Sequence, residues 1–334
     1  LKPYIHILFA ILLCTGMYSC KHETPDKQPA LKVDPILTEL NSALTKNPKE
    51  ADLYFQRAKY YYSKKGYDEA LHDLASAMKI DSLKPAYYYL LADTYLDYYQ
   101  SRMALLTMQK ASGMFPDSIG TLMKLAETEI TLAKYDVAMQ TIQKIVTLDP
   151  QNADARILMG LALENSKDPA RAIYAYRKAT ELDPYKIDGW IKAGILADKL
   201  KTGDGLKYFQ TALKIDTASY EANYALAMHY QQARDDAKAL DIYRKLNLMY
   251  PRVAEPFFNI GAIYMTMDSL NKALDFFKMA TSVDQVYAEA YYAQGKVLEQ
   301  MNKPKEAYAK YNQAATLKPK FQAAGDAAAR LKPK

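Results

Sequence analysis

Cysteine is almost missing from this chain of 334 residues: there are two, Cys14 and Cys20, both near the start. That excludes a disulfide framework and any thiolate metal site over the remainder. Histidine is scarce as well. His6, His22, His72 and His229 fall at no spacing that would gather ligands around a metal. The sequence has no glycine-rich phosphate loop, no HExxH and no nucleophile elbow. Charge of one sign never accumulates. The 44 Lys and Arg are interspersed with 38 Asp and Glu, leaving a net charge of +6 and no basic block of the kind that holds nucleic acid. The paired acids Glu127/Glu129 and Asp235/Asp236 read as solvated faces, because neighbours one or two apart on a helix do not converge. His72 and His229 read as packed or surface residues. The chain is therefore read as non-enzymatic, with no catalytic residues, no metal and no cofactor, and nucleic acid is not an expected partner.

Long apolar runs are also lacking, with one partial exception. Tyr4 to Met17 carries no Lys, Arg, Asp or Glu and follows Lys2. It is short of the roughly 20 apolar residues a full span needs, and it reads as a secretory signal over residues 1–19. The Ser19-Cys20 junction resembles the lipobox of bacterial lipoproteins, in which the cysteine becomes the acylated N-terminus. Met17 stands where that motif usually has Leu, and Tyr18 is bulkier than usual, so a plain signal and an uncleaved anchor stay open beside lipidation at Cys20. Residues 20–33, polar with prolines at 25 and 29, read as a flexible tether.

What the chain does have is a period. Ala70, Ala104, Ala138, Ala172, Gly205, Ala239, Ala273 and Ala307 are spaced 34, 34, 34, 33, 34, 34 and 34 residues apart. A fixed period of this length means one supersecondary unit stacked on itself. Apolar residues recur at three- and four-residue steps within each unit, as in Trp190, Ala193, Gly194 and Ala197, so each holds two amphipathic helices. Small residues mark position 8 of every unit: Ala58, Ala92, Ala126, Gly160, Gly194, Ala227, Gly261 and Gly295. Large ones stand at position 24, among them Tyr176, Phe209, Tyr243, Phe277 and Tyr311. Pro116, Pro150, Pro184, Pro251 and Pro319 end second helices. Pro169 and Pro304 begin them. The fifth unit is one residue short, and its KTGDG segment (Lys201 to Gly205) reads as a shortened turn.

Small residues at positions 8, 20 and mostly 27, with aromatics at 4, 11 and 24 and Pro at 32, resemble the tetratricopeptide repeat. That resemblance covers roughly residues 34–334. It implies an all-α, right-handed superhelical solenoid of about eight helix-turn-helix repeats over residues 51–321. An N-terminal capping helix over 34–48 and a C-terminal one over 322–334 are expected at the ends, which otherwise expose apolar faces. In this family the concave face is usually lined by first-helix positions such as 5 and 9. Here position 5 reads Phe55, Tyr89, Met123, Ile157, Ile191, Tyr224, Phe258 and Tyr292. These eight lie off the stripe made by positions 4, 7, 8 and 11, so they are nominated as a peptide-binding groove, with packing against the next repeat as the alternative. Lys59 and Lys296 fall at position 9 of the first and last repeats only, which argues against a clamp for C-terminal carboxylates.

The expected function is a protein–protein scaffold or adaptor lipoprotein of the bacterial cell envelope, on the periplasmic or outer-membrane side. It would be anchored in the membrane through Cys20 and take an extended or helical segment of an envelope-complex partner into an apolar groove. A soluble exported chaperone or substrate receptor is the alternative within binding. Glycan binding or enzyme-like use of the Tyr-rich groove is the alternative outside it. The oligomeric state is left open.

Overall fold

A computed structural model describes residues 34–333. All regular structure among them is helical, and the chain divides into two compact units, one ending at Asp81 and the other spanning Ser82–Lys334. The all-α repeat solenoid expected from the period is what is found.

The first unit holds α1 (Pro35–Lys46), α2 (Ala51–Ser63) and α3 (Tyr67–Ile80). Asp34 caps α1 by accepting from the Ile36 N–H at 3.0 Å, and Pro35 follows in the first turn, where its missing donor costs nothing. A polar pin joins the three helices. Arg57 on α2 forks onto the buried carboxylate of Asp73 on α3, with two contacts of 2.7 Å, and reaches Asn41 on α1 at 2.6 Å. A buried acid needs such a partner, and the planar guanidinium supplies two parallel donors.

The second unit runs α4 (Pro85–Asp97), α5 (Ser101–Met114), α6 (Ile119–Thr131), α7 (Tyr135–Leu148), α8 (Ala153–Asn165) and α9 (Pro169–Leu182). It continues with α10 (Ile187–Leu200), α11 (Gly205–Ile215), α12 (Tyr220–Gln232), α13 (Asp236–Met249), α14 (Glu255–Thr266) and α15 (Leu270–Val283). Last come α16 (Ala288–Gln300), α17 (Pro304–Leu317) and α18 (Gln322–Leu331). Each helix packs on its neighbours in chain order, so the core is a string of local clusters rather than one centre. α18 buries Ala324, Ala327 and Ala328, and its Arg330 forks onto Glu299 of α16 at 2.6 and 2.9 Å.

One turn joins the two helices of every repeat. Its residue at position 15 is left-handed each time, as at Lys65 (φ 61°), Ala133 (φ 55°) and Asn302 (φ 59°), and the next N–H closes back on the carbonyl five residues earlier. This is the six-to-one closure of a Schellman-type helix end. Between repeats an Asp folds its carboxylate back onto the N–H two residues on, as Asp183 does to Tyr185 at 3.0 Å and Asp284 to Val286 at 3.0 Å. The position-4 aromatic then ties that loop down: Tyr88 Oη donates to the Ser82 carbonyl at 3.1 Å and Trp190 Nε1 to the Pro184 carbonyl at 2.8 Å.

Candidate functional site

The eight nominated position-5 residues sit on the first helix of their repeats, and none is fully exposed. Ile191 is buried, and the others are half-buried. Two of the half-buried ones in the second unit, Tyr89 and Tyr224, turn toward the following repeat as well as outward. Tyr89 shares a hydrogen bond of 2.8 Å with Thr121 on α6. Tyr224 accepts from Asn259 Nδ2 on α14 at 2.8 Å. Phe258 meets Phe277 and Tyr287, and Tyr292 meets Tyr311 and Phe321, with ring centroids 4.9–5.4 Å apart. Met123 packs at the edge of a buried aliphatic cluster and Ile157 at the edge of one that also holds Tyr176 and Tyr208. In the first unit, Phe55 lies under the Lys59 ammonium at 5.5 Å. Position 5 is therefore partly an inter-repeat packing position. Cys20, nominated for lipidation, lies outside the described residues.

Two of the eight, Ile191 and Tyr224, meet in one cleft of about 500 Å³ between α10 and α12. Its base is Ile191, Phe209 and Ala225. The apolar walls are Ile195, Met228 and the stacked pair Tyr220/Tyr224, whose rings lie 5.6 Å apart at 19°. Ile195 and Met228, both at position 9, are 44% and 39% exposed. Large apolar side chains left open beside a concave pocket are what a binding site has and a packing seam lacks. Burial raises the Tyr220 and Tyr224 phenols above their ordinary value, so both stay neutral donors. Asp188 and Glu221 hold one edge of the cleft, and Lys199 and Gln232 the other.

Similarity to known proteins fits this geometry. The tetratricopeptide repeat pattern matches residues 123–187 and 288–321. The structure is similar to that of the APC/C hetero-tetramer Cut9-Hcn1, with 17% identity and a TM-score of 0.59 over 89% of this chain and 58% of that one. It is also similar to a tetratricopeptide repeat protein from Parabacteroides merdae, with 13% identity and a TM-score of 0.58 over 75% of this chain and 99% of that one. The chain is a tetratricopeptide repeat protein. Among curated sequences it is 24% identical to the peroxisomal targeting signal receptor of Komagataella phaffii, over 43% of this chain and 33% of the receptor. It thus spans about a third of that relative's length. Tetratricopeptide repeat proteins act as protein–protein interaction scaffolds.

Three features of this repeat protein differ from the sequence reading. The fifth repeat does not lose its residue from the turn. Its connection, residues 201–204, is longer than the three-residue connections of its neighbours, and α11 is shortened to 11 residues where α9 and α13 have 14. Gly205, at the start of α11, is there for space: a Cβ would overlap the Asp198 carboxylate. Asp198 in turn holds His229 of the next repeat, whose Nδ1 lies 2.8 and 2.9 Å from its two oxygens. His229 is thus an inter-repeat partner of a cleft residue, which its isolated place in the sequence did not reveal. The paired acids also separate. Glu127 is exposed, but Glu129 is 1% exposed and accepts from Thr141 Oγ1 at 2.8 Å. It stands at position 11, where repeats 2 and 6 half-bury Tyr95 and Tyr230 and repeat 7 buries Tyr264, so its register, not its neighbour, decides its burial. Finally, Ile195 and Met228 went unnominated although Leu161, Ile195 and Met228 are consecutive apolar residues at position 9, a signal the sequence carried.

Proposed function

We propose that this protein is a non-enzymatic scaffold of the bacterial cell envelope, lipid-anchored through Cys20, that docks an extended or helical segment of a protein partner in the cleft between α10 and α12. The observation that carries the docking site is the exposed apolar pair Ile195 and Met228 above Ile191, Tyr224 and Ala225. A peptide side chain seated there removes water from both walls at once, and each buried methylene contributes about 0.8 kcal/mol. The anchor rests on the signal-like run and the Ser19-Cys20 junction, together with a polar tether that gives the repeats reach from a membrane surface. No described helix is long and apolar enough to cross a membrane.

Two measurements test the two halves. Capture of envelope proteins by the full chain is compared with capture by Ile195→Ser/Met228→Ser, with both proteins checked for helicity by circular dichroism. A partner kept by the first and lost by the second supports the cleft, and equal retention removes it. Mass spectrometry of the mature N-terminus, with Cys20→Ser as control, tests the anchor; a mature chain without a lipid mass on Cys20 refutes it.

A further inference from the structure

Five consecutive repeats carry an acid at position 2, in the first turn of their first helix: Asp154, Asp188, Glu221, Glu255 and Glu289. The two outer ones are already neutralised. Asp154 pairs with Lys186 at 2.9 Å and Glu289 with Lys318 at 2.6 Å. The three inner ones are not. Among the described residues no ion pair forms on Asp188, Glu221 or Glu255, and all three are exposed. Lys192, one turn along α10 from Asp188, does not close onto it.

Two of these open carboxylates line the cleft, and the third stands near its tyrosine wall. Asp188 and Glu221 line it, and Glu255 acts on the phenols of Tyr220, Tyr224 and Tyr287, helping to hold them above their ordinary value. The aromatic pair Tyr220/Tyr224 therefore has carboxylates beside it and the apolar base of the cleft next to it. Lys199 belongs to the last turn of α10, eleven residues from Asp188, which places it about 16 Å along the helix. The cleft is acidic and aromatic at one edge, and at the other Lys199 stands next to Asp198, which His229 engages.

We infer that the occupant of this cleft is a protein segment carrying an arginine beside aliphatic or aromatic residues, the guanidinium seated at the Asp188–Glu221–Glu255 edge and the apolar side chains between Ile195 and Met228. This rests on the cleft being the docking site. Arginine fits better than lysine because its planar fork can engage a carboxylate with two donors and lie on a tyrosine face at the same time. A segment with an acid in the arginine's place meets three unpaired carboxylates and is repelled.

The test selects from a displayed library of random 12-residue peptides on the immobilised full chain, and then measures the best peptide on variants. Enrichment of Arg next to Leu, Ile, Met or an aromatic is expected. Asp188→Asn, Glu221→Gln and Glu255→Gln should each weaken that peptide about threefold, and together tenfold or more, with the loss shrinking in high salt. Lys207→Ala, on α11 and outside the cleft, should not weaken it. Ile195→Ser/Met228→Ser should abolish binding. Loss in the apolar variant, with no basic enrichment and full binding by the triple charge variant, would overturn the arginine assignment and leave the cleft standing. Undiminished binding by the apolar variant would overturn the cleft itself. No enrichment over an unrelated immobilised protein would overturn both.

Discussion

Repeats 2 and 3 bring their two helices together differently from repeats 4 to 8. In the earlier pair, Ala92 faces Met108 and Ala126 faces Ile142, all fully buried. In the later set the position-24 side chain is aromatic, and the facing residue shrinks to glycine in four of five cases: Gly160 with Tyr176, Gly194 with Phe209, Gly261 with Phe277, and Gly295 with Tyr311. A Cβ on Gly261 would stand 2.8 Å from the Phe277 ring, and on the other three it would overlap the ring outright. The pair is conserved as a volume, not as residue types, because a core is filled to crystal-like density and tolerates neither a hole nor an extra methyl. Repeat 6 keeps Ala227 beside Tyr243, so an aromatic and a methyl can coexist where the helices are set for it.

The aromatic solution also carries a polar consequence. In repeats 4, 6 and 8 the tyrosine hydroxyl donates to position 12 of the same repeat: Tyr176 to Glu164 at 3.0 Å, Tyr243 to Gln231 at 2.9 Å, and Tyr311 to Glu299 at 2.9 Å. Repeats 5 and 7 have phenylalanine there and no hydroxyl to give. In repeat 5 that leaves the position-12 residue, Asp198, for His229 of the next repeat. The choice of Phe209 over tyrosine thus belongs to the same arrangement as Gly205, the shortened α11 and the cleft.

The largest break in this comparison is removal of an aromatic. Phe277→Ala leaves a cavity that a glycine-backed neighbour cannot refill, and should cost about 3–5 kcal/mol. Ile142→Val, in the aliphatic region, should cost about 0.5–1.5 kcal/mol. Chemical denaturation followed by circular dichroism gives both; equal losses would mean the two packings are equivalent. Next in size is Gly160→Ala, which overpacks Tyr176 and should cost about 1–3 kcal/mol. Adding Tyr176→Met recreates the Ala92/Met108 pair of repeat 2 and should recover most of that loss. A double-mutant cycle measures the coupling, and strict additivity would sink the volume argument.

Much of this was legible. The period, the small residues at position 8 and the large ones at position 24 were in the sequence, and so was the all-α solenoid, because each of these is a local pattern repeated eight times. The cleft was legible only in part. Ile191 and Tyr224 were nominated with six others that a one-dimensional pattern cannot rank, since position 5 faces outward and toward the next repeat at once. Asp198 and His229 were invisible as a pair. They lie 31 residues apart and meet only through the stacking of two repeats. Gly205 read as part of a shortened turn, because nothing in the sequence says a carboxylate occupies its missing Cβ.

Two smaller predictions sharpen the contrast within repeat 3. Ala133 holds the left-handed position of its turn at φ 55° without the freedom of glycine. Ala133→Gly should stabilise by about 1 kcal/mol, set by the cost of a Cβ in that conformation. The same change at Ala126, inside the helix, should destabilise by a similar amount, and a gain at both sites would refute the reading of the turn.

Glu129 provides a test that depends on pH. Burial raises its carboxyl above the ordinary value, against the opposing hydrogen bond from Thr141 and the charge of Lys134. Below the ordinary carboxylate range, native and unfolded chains both hold the proton, and Glu129 adds no slope. As pH rises through that range the unfolded chain releases its proton first, so stability falls until the native carboxyl also ionises. A single proton sets the limit, no steeper than about 1.4 kcal/mol per pH unit. Glu129→Gln keeps the shape, leaves Thr141 an acceptor and cannot titrate. Its stability relative to the parent should therefore rise with pH from the ordinary carboxylate value upward and then level off. Denaturation midpoints of the two proteins measured between pH 4 and 8, running parallel throughout, would show that the buried acid of repeat 3 carries no strain that the aromatic residues at the same position in repeats 2, 6 and 7 avoid.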